Sequence, residues 1–166
     1  MNQGDLRIRP ILPRDNPQVA SVIRDVFREL DIPSVGTAIA DPSLESMYSF
    51  YQHPRSIYWV VADDSRVWGG GGLAPLEGEG GNTCELQKMY FKGEIRGQGW
   101  GDRLLRMALD KAVSYGFSKC YLETMPYMKA AQNLYKGYGF QYLDAPKGRT
   151  GHTACSIWME KELGSL

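Results

Sequence analysis

The segment that most restricts this chain lies near its middle. Glu85 to Phe91 reads as a strand, Lys92 to Ile95 is a short connector, and Arg96-Gly97-Gln98-Gly99-Trp100-Gly101 leads directly into an amphipathic pattern. Leu104, Leu105, Ala108, Leu109 and Ala112 recur on one side of that pattern, which predicts a helix from about Gly99 to Tyr115, stopped by Gly116. Strand, glycine turn and helix in this order make an anion-binding geometry. The unpaired N–H groups of a first helical turn, with the positive end of the helix dipole, can hold a pyrophosphate, and glycines let that backbone approach the oxygens. A P-loop would need Lys-Ser or Lys-Thr after its glycines, and a dinucleotide fingerprint would need G-x-G-x-x-G; here the glycines fall at 97, 99 and 101. What fits is Arg/Gln-x-x-Gly-x-Gly/Ala, filled by Arg96, Gly99 and Gly101, a pattern that a purely structural turn can also satisfy.

Around this segment the chain alternates strands and helices. Leu6 to Arg9 reads as a strand interrupted by Pro10 and Pro13. A helix follows, capped by Asp15 or Asn16, with Pro17 in its first turn and Val19, Val22, Ile23, Val26, Phe27 and Leu30 on one face. A short helical segment begins near Pro42, and Ile57 to Ala62 and Val67 to Ala74 form a hairpin around Asp63 to Arg66. Gly69 to Gly72 inside the second of these strands implies a bulge or close backbone packing, or else room for a ligand. Thr83 to Phe91, Lys119 to Thr124, Gln141 to Leu143 and Ala154 to Met159 read as further strands, and Pro126 to Tyr138 as a loop and helix.

At 166 residues with 43% hydrophobic content, residues 1–166 suit a single domain that can bury its own core. Lys plus Arg and Asp plus Glu both number 19, so no overall positive field draws nucleic acid or an anionic membrane. Cys84, Cys120 and Cys155 are far apart, the N-terminus lacks a basic and apolar leader, and no apolar run approaches the roughly 20 residues that span a bilayer. A reduced, cytoplasmic protein is the expectation.

Two further stretches narrow the reading. Tyr121-Leu122-Glu123-Thr124 follows the Gly116 stop, and Ala131-Gln132-Asn133-Leu134-Tyr135-Lys136-Gly137-Tyr138-Gly139-Phe140 follows in turn. With the Arg-Gly-x-Gly-x-Gly turn, these make the chain resemble the GNAT superfamily of N-acetyltransferases, most strongly from about Thr83 to Phe140; the N-terminal part agrees in element order. The resemblance implies an α+β fold: a mostly antiparallel mixed sheet of about seven strands, splayed at the fourth and fifth, flanked by about four helices. It also implies acetyl-CoA as co-substrate, with no metal.

Carried over by position, Met89, Tyr90 and Phe91 would hold the pantetheine arm through main-chain groups, and the pyrophosphate would rest on Arg96, Gly97, Gln98, Gly99, Trp100 and Gly101. Arg96 and Arg103 would add charge-assisted bonds, or simply be solvated. The attacking amine must lose a proton, for which Glu85 is the candidate base unless it is a salt-bridged strand glutamate. Tyr135, at the tyrosine position of the Leu-Tyr-x-x-x-Gly-Phe motif, would protonate the departing thiolate unless it only packs in the core, and an N–H near Met89 would meet the developing oxyanion. One departure is Met128, where relatives carry a coenzyme-contacting asparagine; Asn133 is out of register for that contact. His53 and His152 read as isolated surface histidines with no metal-ligand spacing.

Three functions follow from these implications: a small-molecule amine acetyltransferase, a protein or peptide acetyltransferase, or a non-catalytic acetyl-CoA-binding module. Tyr48, Tyr51, Tyr58, Trp59 and Trp68 favour a walled pocket and hence the first, unless all five belong to the core. Strand edges and the apolar first helix would allow a homodimer.

Overall fold

The structure, a computed structural model, describes residues 4–164. Seven strands form one sheet in the order β1-β2-β3-β4-β5-β7-β6, with β1 Arg7–Pro10, β2 Ile57–Ala62, β3 Val67–Pro75, β4 Thr83–Phe91, β5 Lys119–Thr124, β6 Gln141–Tyr142 and β7 Ile157–Glu162. All neighbouring pairs are antiparallel except β4 and β5. The helices are α1 Asn16–Glu29, α2 Met47–Phe50, α3 Trp100–Ser114 and α4 Lys129–Gly137. The mixed α+β architecture expected from the sequence is present.

The apolar stripe of α1 faces one side of the sheet, burying Val19, Val22, Ile23, Val26 and Phe27 with Tyr58, Val60 and Ala62 of β2. Removing five such side chains from water is worth on the order of 10 kcal/mol. The stripe is therefore covered from Val19 to Phe27, while Leu30 at its end stays exposed. Neither expected cap serves α1 through its side chain. Asp15 instead accepts from Arg9 at 2.7 and 3.0 Å and from the Leu12 amide at 2.8 Å, while Asn16 Oδ1 accepts the Tyr48 amide and ties α2 to α1. On the other side of the sheet, Leu104, Leu105, Ala108 and Ala112 of α3 pack with Trp59, Val61, Leu73, Leu86 and Leu122, and α4 joins through Tyr135.

The glycine run of β3 is a packing device. A Cβ on Gly70 would stand 2.6 Å from the Trp59 carbonyl oxygen and 2.9 Å from the Tyr58 hydroxyl, so the space that a side chain would fill is occupied by protein. Across the ladder, Gly70 pairs with Tyr90 and Gly72 with Gln87, leaving Lys88 and Met89 opposite Gly71. Two residues against one is a β-bulge, and Lys88 sits in it at φ 49°. The Tyr58 hydroxyl donates to the Lys88 carbonyl at 2.9 Å and fixes the bulge.

The extra residue changes which face each part of β4 addresses. Cys84, Leu86, Met89 and Phe91 join the α3 side, whereas Tyr90 packs on the α1 side. Strand β4 also pairs with β5 only from Thr83 to Glu85, against Lys119 to Tyr121; beyond that point the two diverge, and β5 continues along β7. The divergence is the splay that the resemblance implied. Strand β7 starts three residues later than the apolar pattern predicts. Ala154 and Cys155 donate their amides to Gly36 and His152 in a turn, and the ladder begins at Ile157, opposite Thr124.

Candidate active site

The splay opens a cavity of about 470 Å³ between the C-terminal end of β4, the α3 N-terminus and α4. Met89, Tyr90, Phe91, Arg96, Gly97, Gly99, Trp100, Gly101, Met128 and Tyr135 all line it. Gly99 enters α3 at φ 86°, a left-handed conformation that suits glycine, and so turns the backbone sharply from the connector into the helix. The first helical amide with a backbone acceptor is that of Arg103, bonded to the Gly99 carbonyl at 3.1 Å; the first-turn amides before it have no intrahelical partner.

Not every predicted residue joins this cavity. Gln98 and Arg103 lie outside its lining. The Gln98 side chain donates to the Glu94 carbonyl, and the Arg103 guanidinium stacks over the Trp100 ring at 4.6 Å. Arg96 is held at the edge: its guanidinium bonds Glu29 at 2.7 and 3.2 Å and donates Nε to the Phe91 carbonyl at 2.8 Å. Its own amide is engaged by Gly93.

Tyr135 is 7% exposed and borders both this cavity and a narrow gap that continues along β4 and β5. Among the described residues its hydroxyl has no hydrogen-bond partner, and no sealed polar side-chain atom is left without one. The hydroxyl oxygen therefore stands at the cavity surface. Burial pushes its pKa above the ordinary phenol value, so it keeps its proton at neutral pH. Gln132, one turn earlier, anchors α4 by donating to the Met125 carbonyl at 2.9 Å and accepting from the Tyr142 hydroxyl.

A second cavity, of about 520 Å³, lies on the other side of the gap. Its walls come from the 41–53 segment, from Glu85, Gln87 and Lys88 of β4, and from Arg149, Thr150 and His152. Glu85 is 5% exposed, and burial pushes its carboxyl up to about 7, opposed by a 2.6 Å hydrogen bond from Gln87 Nε2 to Oε1. Its other oxygen has no protein partner among the described residues and, by the same reasoning as for Tyr135, meets cavity space. Gln87 is oriented in turn by the Tyr51 hydroxyl at 2.6 Å.

Two expectations are corrected here. His152 is no isolated surface residue: its side chain is 14% exposed and its Nε2 lies 2.9 and 3.0 Å from the Asp41 carboxylate. Burial opposes the charged ring, yet the bond to Asp41 raises its pKa above the ordinary value. Asp41 also pairs with Lys88 at 2.7 Å, whose side chain is 3% exposed. His53 is exposed, as expected, at the rim of the cavity. Tyr51, Tyr58, Trp59 and Trp68 are core residues, and the cavity is walled instead by Phe50, Pro42, Pro75 and three serines. The sequence reading missed Asp41, Lys88, Glu123 and His152 as a group. A ring nitrogen of His152 and carboxylate oxygens of Glu85 and Glu123 all lie within 4.8 Å of one another.

A sheet splayed at one parallel pair, with a glycine turn into a helix N-terminus at one end and a buried carboxylate beyond the gap, is the frame of an acyltransferase that takes its acyl group from coenzyme A. The acetyltransferase (GNAT) family model matches residues 24–140, and the chain belongs to that family. It is 44% identical over 157 residues to the uncharacterized N-acetyltransferase YjgM of Escherichia coli (strain K12), with 94% of each chain covered. Among solved structures, an acetyltransferase of the GNAT family from Staphylococcus aureus Mu50 superposes with a TM-score of 0.82 at 18% identity, covering 96% of this chain and 99% of that one. N-acetylglutamate synthase from Neisseria gonorrhoeae, complexed with coenzyme A and N-acetyl-glutamate, gives a TM-score of 0.72 at 18% identity; 98% of this chain spans 36% of that one.

Proposed function

We propose that this N-acetyltransferase moves the acetyl group of acetyl-CoA directly to the primary amine of a small polar molecule. The observation that carries the reading is the pair of cavities that share no lining residue and flank one gap on β4. The first takes the donor, with the pantetheine arm along the main chain of Met89, Tyr90 and Phe91 and the pyrophosphate on the Arg96 to Gly101 turn. Trp100 and Gly101 contribute through their amides, while Gln98 and Arg103 act outside the cavity wall, Arg103 by stiffening Trp100. The coenzyme A in the Neisseria structure supports this assignment.

The second cavity takes the acceptor. Glu85, with a pKa near neutrality, removes a proton from the ammonium group, whose freed lone pair attacks the thioester carbonyl carbon. The carbon–sulfur bond breaks, and Tyr135 supplies a proton to the sulfur. Serine, glutamine and charged side chains on its walls favour a polar acceptor, and the N-acetyl-glutamate of the Neisseria enzyme is a product of that kind.

Acetyl-CoA is expected to raise the melting temperature, and NAD or ATP at equal concentration is not; equal effects from all three would reject the donor site. A thiol-release screen over an amine library then identifies the acceptor. In that assay Tyr135→Phe lowers kcat by about a hundredfold with coenzyme affinity retained, and an unchanged kcat removes Tyr135 from the chemistry.

A further inference from the structure

Each member of the Glu85, Glu123 and His152 cluster is oriented by a neighbour of its own. Gln87 Nε2 donates to Glu85, the Thr150 hydroxyl donates to Glu123, and Asp41 holds the His152 ring. The residues come from three places, β4, β5 and the segment before β7, and meet where β4 and β5 begin to separate. Oriented side chains of this kind are the mark of a site that must stay in register with something bound.

Lys88 is consumed by Asp41, which also holds His152, so neither carboxylate of the Glu85 and Glu123 pair has an ion-pair partner among the described residues. Arg149, Glu77 and His53 stand elsewhere on the cavity wall, and none is in an ion pair among the described residues. Glu85 lines the acceptor cavity and Glu123 the gap beside it, yet their carboxylate oxygens lie within 4.8 Å of one another, so the two desolvated groups repel, and burial pushes both upward. A cation placed between them relieves that repulsion. One oxygen of Glu85 is free and reaches the cavity, which opens the position to a ligand.

We infer that Glu123 joins Glu85 as the seat for the acceptor's primary ammonium group, with His152 as a positioning residue that receives the proton through Glu85. This rests on the acetyltransfer reading above and extends it: the acceptor enters as a cation and is deprotonated in its seat. The span of the cluster suits hydrogen bonds of about 2.8 Å radiating from one tetrahedral nitrogen. The proton passes from the ammonium nitrogen to Glu85, then to His152, whose imidazolium is stabilised by Asp41. The hydrogen bond to Asp41 raises the affinity of the His152 ring for that proton.

The test uses the full chain saturated with coenzyme A and propylammonium chloride as probe, following the carboxyl carbon resonances of Glu85 and Glu123 by NMR. A saturable shift of both is expected with propylammonium and none with tetramethylammonium, which has no N–H to donate. Glu123→Gln weakens propylammonium binding about tenfold, and Thr150→Val, which removes only the hydroxyl on Glu123, weakens it less and serves if the first variant does not fold. His152→Gln leaves probe affinity near its starting value but moves the pH midpoint of the Glu85 resonance. The inference is overturned by an absent response, by an equal response to tetramethylammonium, or by stoichiometric binding of Zn²⁺ or Mn²⁺ that excludes the probe. Failure of the acetyltransfer reading is seen separately, as absent acetyl-CoA binding, and the probe titration is then read on the chain without coenzyme.

Discussion

Replacing Glu85 by Gln separates the cost of a buried carboxylate from its use. The folded chain lifts Glu85 from an ordinary value of 4.5 to about 7, chiefly by burial. A carboxyl with a raised folded pKa contributes stability that is fully present below the unfolded value and is lost as pH rises through the folded one. The wild type therefore weakens from about pH 4.5 to pH 7 relative to a variant that has no proton to lose. At 1.36 kcal/mol for each pH unit, the interval corresponds to about 3 kcal/mol. Glu85→Gln keeps the size of the side chain and can still meet Gln87, so its advantage over wild type is expected to grow by about that amount between pH 4 and pH 8. Urea denaturation of both proteins across this range measures it. A stability difference that stays flat with pH would show that Glu85 ionises in the folded chain as it does in water, and the near-neutral base would have no physical ground.

Gly70→Ala forces a methyl group against the Trp59 carbonyl and the Tyr58 ring, and a loss of about 1–3 kcal/mol is expected in urea denaturation; unchanged stability would mean that β3 can yield. Glu29→Gln frees Arg96 from its ion pair at the mouth of the donor cavity, so coenzyme A is expected to bind up to about fivefold more tightly at low salt, in line with a surface pair worth at most about 1 kcal/mol. Calorimetry showing weaker binding would mean that the pair positions Arg96 for phosphate and does not compete with it.

The cavity proposed for the donor was legible because its signals are local. The turn from Arg96 to Gly101 is contiguous, and the helix that follows declares itself by spacing alone. Glu85 and Tyr135 could be named from their places in short motifs. The cavity proposed for the acceptor was not legible, since Asp41 and His152 are separated by 111 positions and no local period connects them to Glu85 or Glu123. The bulge was hidden for a different reason: lysine is an uncommon residue at positive φ, and nothing in the strand pattern marks Lys88. Its one trace was the glycine run, which accommodates the bulge from the opposite strand. Strand β7 was started too early because Ala154 and Cys155 are apolar enough for a strand while their amides belong to a turn.

The two cavities draw on separate stretches of chain and touch only along β4. On the proposed assignment of donor and acceptor, substitutions in the 41–53 segment or around 149–152 retune which amine is accepted without disturbing the coenzyme grip, and the reverse also holds. Such a division lets one scaffold diversify its clientele while its fuel stays the same.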